Sequence, residues 1–394
     1  MNYLKINKYF FCALFFLFTL NGCKQDEKST VRFTKSIDEF LTKNNQIKTI
    51  FLDSLSSSNS SLFQYVQSDN KSFLYILNTL NNHLEKYDFD SGKLISKQKL
   101  YKEGPNGVGQ VNNFYVHSTD SIFIVATYQF KLTLIDSLGN VKKRYSILGN
   151  TNSNKEILGQ GSVSYGDEAG KITVYEKKVF ISASPFDDPN HLSYYTKGAY
   201  GLIIDIETGD TKTIMKLPDH WKENFKNGYR LTSQENIYGQ DYNLKKKICI
   251  LSLFTESELY TVNLETNQIN KYNAGSSKLS KIPWMSRKVN NFEEEFSLFI
   301  EGGFYPAIHY DSYRDRYLRF VAIPNHNKKG DDGKPWVTFN IIILDSTFKI
   351  IEEIELTEEY ISSNIIITHD QLFLKLKSSD ENKMIFMPVN FETK

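Results

Sequence analysis

The sequence predicts an all-β fold, a six-bladed β-propeller closed by an N-terminal strand that completes the last blade. Three observations predict it. One hairpin signature recurs five times in full, with apolar–polar alternation on either side of a turn built on an acid and a Ser or Thr. A sixth copy stops at the end of the chain after its incoming strand and turn acid. The strand-like run Ile47-Lys48-Thr49-Ile50-Phe51-Leu52, near the other end, has no hairpin partner of its own. Pairing that run with the incomplete copy closes a ring, and radial repetition of this kind leaves only short, protected sheet edges.

The full copies are Tyr87–Leu94, Leu134–Val141, Ile204–Thr211, Val262–Ile269 and Ile343–Ile350, with turn acids Asp90, Asp136, Glu207, Glu265 and Asp345. The truncated copy is Val389–Lys394, with Glu392. Alternation through a tight turn is the mark of an antiparallel hairpin. Short polar side chains bond nearby backbone N–H groups, and Gly or Asn accepts the positive φ such turns need. Successive turn acids lie 46, 71, 58, 80 and 47 residues apart. Four short strands need only about forty to fifty residues. The longer gaps therefore carry insertions, expected at 149–171, 185–199, 218–240, 273–306 and 325–336, and insertions in repeat folds crowd one face, often the binding face.

In chain order, three segments are expected: a lipoprotein signal peptide over 1–22, a lipidated N-terminus and polar spacer over 23–46, and the propeller over 47–394. Lys5 and Lys8 precede an apolar run from Phe10 to Leu20, too short to span a bilayer permanently. The spacer holds one short helical pattern, Ser36–Lys43. Ile47–Asp53 is the closing strand and Ser54–Ser61 a loop. Blade 1 is expected as Leu62–Gln67, Ser72–Asn78, His83–Phe89 and Leu94–Leu100; blade 2 as Val111–Val116, Ser121–Thr127, Lys131–Ile135 and Val141–Leu148. Blade 3 is Ile172–Glu176, Lys178–Ser184, Tyr200–Ile206 and Thr211–Leu217. Blade 4 is irregular at its start and continues as Lys247–Leu253, Glu258–Leu264 and Ile269–Tyr272. Blade 5 is Ala307–Tyr310, Tyr317–Ile323, Val337–Leu344 and Lys349–Leu356. Blade 6 is Asn364–Thr368, Gln371–Lys377 and Lys383–Phe391, with the N-terminal strand as its fourth.

Composition agrees with many short strands: 28 Phe and 24 Tyr among 394 residues. With 47 Lys and Arg against 46 Asp and Glu, no basic field favours nucleic acid. Of three cysteines, Cys12 lies in the leader, Cys23 ends it, and Cys249 sits in a strand-like run as a small buried apolar residue.

Leu20-Asn21-Gly22-Cys23 resembles the bacterial lipoprotein signal. That resemblance implies that Cys23 carries lipid and becomes the first mature residue. The run Lys24–Lys28 lacks an Asp directly after the Cys and contains acids, which looks like the export tag of surface lipoproteins in Bacteroidetes-type bacteria. Glu103-Gly104-Pro105-Asn106-Gly107-Val108-Gly109, leading into an inner strand, resembles six-bladed propellers of the TolB-like and NHL-like kind. With Tyr305–Phe320 and the lipoprotein start, the chain is similar to an uncharacterised family of Bacteroidetes lipoproteins known only as a domain of unknown function. The resemblance implies a fold and an outer-membrane, surface-exposed location, with no established activity.

The densest polar–aromatic cluster is His309-Tyr310-Asp311 through Arg319. His309, Tyr310, Tyr313, Arg314, Arg316, Tyr317 and Arg319 are the candidate ligand-binding residues, Arg as a bidentate fork and Tyr as a stacking surface for an acidic or sugar ligand. The plainer reading makes Asp311–Asp315 a turn, pairs the Arg residues locally and packs the Tyr rings between blades. His117, Asp120, His369 and Asp370, with Asp69 and Asp311, recur where an inner strand meets the next and are candidates to face the channel. No His or Cys spacing marks a metal site. No cofactor is expected beyond calcium, for which Asp187-Asp188-Pro189-Asn190 and Asp331-Asp332-Gly333 offer oxygen ligands without an EF-hand pattern. The glycines of 104–109 read as a tight crossing between blades, since neither Gly-Lys-Ser/Thr nor a helix follows. No catalytic residue is assigned: a nucleophile elbow and a His-Glu-x-x-His motif are both lacking.

These readings lead to a lipid-anchored envelope module that binds or scaffolds a protein, peptide or glycan, with the membrane as its partner through the lipid. The alternatives are a glycan hydrolase or lyase with acids and His at the propeller mouth, and a structural subunit of an outer-membrane complex.

Overall fold

The structure is a computed structural model that describes residues 47–389, apart from 54, 59, 61, 127–128, 148–160, 164–170, 186–189, 217, 231–237, 280–284, 287–296, 298–299, 330–334 and 357–359. The leader, Cys23 and the spacer helix at 36–43 lie outside the described residues, as do Glu392, Asp187–Pro189 of one proposed calcium loop and Asp331–Gly333 of the other. Six four-stranded antiparallel meanders follow one another. Blade 1 is Phe63–Ser68, Lys71–Asn78, His83–Asp88 and Leu94–Lys99. Blade 2 is Asn113–Ser118, Ser121–Ala126, Lys131–Ile135 and Val141–Ser146. Blade 3 is Ile172–Tyr175, Lys178–Pro185, Ala199–Asp205 and Thr211–Lys216. Blade 4 is Tyr238–Asn243, Ile248–Leu253, Glu258–Asn263 and Ile269–Asn273. Blade 5 is Ile308–Asp311, Arg316–Lys329, Pro335–Leu344 and Ile350–Glu355.

Blade 6 takes Tyr360–Ile367, Leu372–Leu376 and Lys383–Val389 from the end of the chain and Lys48–Phe51 from its beginning. The two ends pair antiparallel, Lys48 opposite Phe386 and Phe51 opposite Lys383. The closing strand also docks on the turn of the next blade, where Phe51 N–H donates to Gly92 O at 3.0 Å. Gly92 has φ +70, and a Cβ there would lie 1.8 Å from Thr49 O. Only glycine allows both that conformation and that approach.

The apolar core divides into one cluster per blade-to-blade seam. Leu77, Leu84 and Ile124 fill seam 1–2; Val125, Ile181 and Leu202 fill 2–3; Ile203, Leu251 and Val262 fill 3–4. Ile250, Tyr317 and Ile342 fill 4–5, while Phe320, Ile343 and Leu374 fill 5–6. The last seam joins Ile50 of the closing strand to Leu74, Tyr87 and Phe386. Each sheet is therefore apolar on both faces, which explains strands such as Ser121–Ala126 that run apolar at almost every position.

Two features depart from the expected plan. Blade 4 begins with Tyr238–Asn243, inside what was expected to be an insertion ending at 240; its Gln240, Asp241 and Asn243 hide it from an apolar alternation test. The middle strands of blade 5 run past the ring as a long hairpin over 316–344, so the insertion at 325–336 continues the blade's own pairing.

In a meander the first-to-second and third-to-fourth turns share one end of the blade. The second-to-third turns and the crossings to the next blade share the other. All five insertions belong to the second set. That face carries helix α1, Leu192–Lys197, and helix α2, Asp219–Lys226. It also carries a two-stranded ribbon in which Tyr229–Arg230 pairs with Met285–Ser286. The five described repeat turns all lie on the opposite, turn face.

Candidate functional site

The Asp311–Arg316 turn, on the turn face of blade 5, folds in on a buried carboxylate. Asp311 is fully buried and accepts the backbone N–H groups of Tyr313 (3.3 Å) and Arg314 (3.2 Å). Arg314 Nη1 and Arg316 Nε each donate to its Oδ2 at 3.1 Å. Arg314 then reaches across the seam, donating to Thr368 O (3.4 Å) and His369 O (3.1 Å) of blade 6. Tyr310 donates from its hydroxyl to Asp315 at 2.9 Å, and burial followed by that carboxylate raises its phenol pKa. Tyr317 is fully buried, accepts a bond from Asn243 Nδ2 at 2.8 Å and stacks on Phe348. Burial pushes its phenol up to about 12.

Arg319 is buried in seam 4–5. Nε donates to Ser252 Oγ (2.9 Å), and the two Nη groups donate to the carbonyls of Ser257, Ala274, Glu256 and Glu258 at 2.5–3.2 Å. The guanidinium lies 3.8 Å from the centroid of the Tyr305 ring. Desolvation lowers its pKa to about 10. Of the seven residues proposed for one ligand, Arg314, Arg319 and Tyr317 thus act as ties and packing between blades, and Arg316 pairs with Asp311 within its own turn. Tyr313 is exposed, with its ring edge-on to His369. His309 is buried within its strand, edge-on to Phe320.

Of the channel-facing candidates, His117 lies at the end of the first strand of blade 2, and Asp120, His369 and Asp370 lie on the turns that follow first strands. His117 is exposed near the Tyr115 ring. Asp120 is exposed and accepts Lys142 Nζ at 2.5 Å. His369 and Asp370 are both exposed and bonded to each other at 2.8 Å. Among the described residues, no cluster of three or more His, Cys, Asp or Glu is placed to hold a metal. Cys249 is buried, and desolvation followed by the charge of Asp241 raises its thiol pKa well above the usual range.

The concave feature on the axis is a cavity of about 480 Å³ lined by the first strands of all six blades. This identifies the first strand of each blade as the inner one, and the volume lies in the range of small-ligand sites. One charged pair faces it: Lys171, just before the inner strand of blade 3, donates from Nζ to Asp241 Oδ2 of blade 4 at 2.5 Å. The same carboxylate oxygen accepts the backbone N–H of Tyr310 in blade 5 at 2.8 Å, and Oδ1 accepts Tyr242 N–H. Asp241 therefore joins blades 3, 4 and 5. Gln64 joins blades 1 and 2 as a false strand residue, accepting Val116 N–H (2.7 Å) and donating to Val116 O (3.0 Å). Tyr115 is bonded to Thr173 and the backbone at Val174 across seam 2–3, and burial raises its phenol pKa. Tyr65, Tyr115, Tyr310 and His309 are among the residues that line the wall. Lys171, Asp241, Tyr115 and Gln64 were missed by sequence reasoning. The available signal was position alone: each lies in or beside the first strand of a blade, where a polar side chain reaches the axis.

Comparison with known proteins agrees with this geometry. Residues 38–355 match the family model described as a domain of unknown function, DUF4221. The crystal structure of a member of that family from Bacteroides vulgatus superposes with a TM-score of 0.71 at 21% identity, covering 86% of this chain and 95% of that one. A putative exported protein from Bacteroides fragilis gives a TM-score of 0.51 at 10% identity, covering 86% and 94%. No curated protein matches the sequence. The chain belongs to the DUF4221 family, and its fold is that family's six-bladed β-propeller.

Proposed function

We propose that this protein is a lipid-anchored envelope module that binds a glycan in its axial cavity, without chemistry on it. The observation that carries the reading is the cavity's lining: tyrosines around a single mutually neutralising Lys171–Asp241 pair. Vicinal hydroxyls can donate to the carboxylate and accept from the ammonium together, while the rings cover the sugar's apolar face. Asp241 is the one carboxylate among the described lining residues, whereas glycoside hydrolysis ordinarily uses two. A lyase is the second reading, favoured by Lys171 and Tyr115 beside that carboxylate as proton-transfer groups.

The anchor rests on the leader and on Cys23, and the exported relative supports an extracytoplasmic location. Among the described residues no helix is long and apolar enough to cross a membrane. Calorimetry against a panel of envelope glycans tests the cavity. Affinity should fall at least tenfold in Lys171→Met and stay unchanged in Tyr313→Ala; equal affinity in Lys171→Met removes the cavity as the site. Appearance of unsaturated product would replace binding by elimination. Mass spectrometry of the native N-terminus should find an acylated Cys23, and Cys23→Ala should release the protein from membranes.

A further inference from the structure

A second cavity, of about 420 Å³, opens at seam 3–4 on the insertion face, away from the axial cavity. Leu251, Leu253 and Val262 form its apolar floor, with Tyr260 as an aromatic wall. Lys216, Asp219 and His220 stand at its mouth, all three exposed.

Glu256, buried in the turn between the second and third strands of blade 4, makes the mouth rigid. Its carboxylate accepts His220 Nε2–H at 2.7 Å, the Trp221 indole N–H, and the Tyr260 hydroxyl at 2.5 Å. The bonds from His220 and Trp221 pin the first turn of α2 to blade 4, and the Tyr260 bond fixes the carboxylate within that blade. That last bond also engages the hydroxyl of Tyr260, whose pKa is raised by burial and by Glu256, so its ring is offered as apolar wall. Tyr195 of α1 packs on Phe225 of α2 at 4.7 Å between centroids, holding the helix from its other side. Lys216 and Asp219, by contrast, make no ion pair or side-chain hydrogen bond among the described residues.

From this geometry we infer a binding site for a free hydrophobic α-amino acid. The floor would take the side chain, Lys216 the carboxylate and Asp219 the ammonium group. A zwitterion with an apolar body answers every feature of the site: one cation, one anion and an apolar bottom. A plain fatty acid would leave Asp219 facing its tail, and an amine would leave Lys216 unanswered. Charge pairs at a cavity mouth gain from the low dielectric beneath them, so each is worth about tenfold or more in affinity.

Calorimetry on the purified protein with L-leucine, N-acetyl-L-leucine and L-leucinamide tests the inference. Leucine should bind with 1:1 stoichiometry, and each blocked analogue at least tenfold more weakly. In Lys216→Met, leucine should weaken to the level of the amide and the penalty for the amide should vanish. In Asp219→Asn the penalty for the N-acetyl compound should vanish instead. Leu253→Trp, which fills the floor, should abolish binding, while Lys171→Met in the axial cavity should leave it intact. The inference is overturned if all three compounds bind alike, if none binds at millimolar concentration, or if Leu253→Trp, shown to be folded by circular dichroism, still binds leucine.

Discussion

The two faces of the ring are built by different physics. On the turn face, each described repeat turn is held by one side chain a few residues away. In three copies Asp88, Asp205 and Asn263 accept the N–H of Ser91, Thr208 and Thr266, with a positive φ at Gly92, Gly209 and Asn267. In two others Asp136 and Asp345 accept the N–H of Leu138 and Thr347, with a positive φ at Gly139 and Phe348. On the insertion face, segments far apart in sequence are joined through buried polar groups. Arg319 gathers carbonyls of 256–274, Glu256 holds α2, and Glu85 accepts Ser56 Oγ and the Tyr87 hydroxyl beside Lys97. The repeat turns are local, and on their face long-range ties are added at Arg314 and Gly92; the insertion face is held by long-range ties, and each of those named occurs once. Both cavities depend on the second kind of order: the axial pair joins residues 171 and 241, and the seam 3–4 mouth joins 220 and 256.

The contrast can be broken most forcefully at Arg319. Arg319→Met leaves several buried carbonyls without a donor and should cost about 4 kcal/mol or more in urea unfolding. Gly92→Val combines positive-φ strain with a clash against the closing strand, and about 3 kcal/mol is expected, with faster proteolysis at the N-terminal end. Asn263→Ala removes one turn acceptor and should cost about 1 kcal/mol, a local loss that leaves both proposed binding sites unaltered.

The smallest effect is one of pH. Turn hydrogen bonds, with Ser91 and Asn140 contributing first, hold the carboxyl pKa values of Asp88 and Asp136 below the usual range, and those with Thr208 and Thr347 do the same for Asp205 and Asp345. A depressed native pKa means that the unfolded state binds more protons. The contribution is therefore complete above the unfolded value near pH 4 and is lost as pH falls through the native values. Melting temperature should decline in that window, and Asp205→Asn, which copies the native Asn263, should flatten the decline slightly. An unchanged slope would mean that turn acids do not carry the acid sensitivity.

Much of the ring was legible residue by residue. The Tyr87–Leu94 motif and its relatives announce themselves through alternation and turn chemistry, both of which act over a few residues. The unpartnered run at Ile47 and the truncated copy at Val389 together called for closure, because an exposed strand edge is a liability. The site was harder to read. His309–Arg319 drew attention because Arg and Tyr cluster there, yet density along the chain does not reveal direction. Strand pleating sends Arg319 into seam 4–5 and His309 toward seam 5–6, and turn geometry sends Arg314 to blade 6. Tyr238–Asn243 was hidden because its polar residues turn inward instead of facing water: Asp241 and Asn243 bond across seams and Gln240 bonds Tyr242 of its own strand.

Blade number, the positions of the repeat turns, the end of the blades that takes the insertions and the need for circular closure all follow from the order of residues, since each depends on neighbours within one hairpin or on the parity of a meander. Which polar groups meet does not. Lys171 finds Asp241, and His220 finds Glu256, only after curvature of the whole wheel has set adjacent blades side by side. Folding alone makes those two cavities, because the groups that shape them come from segments distant in sequence that meet only once sheets and helices have packed.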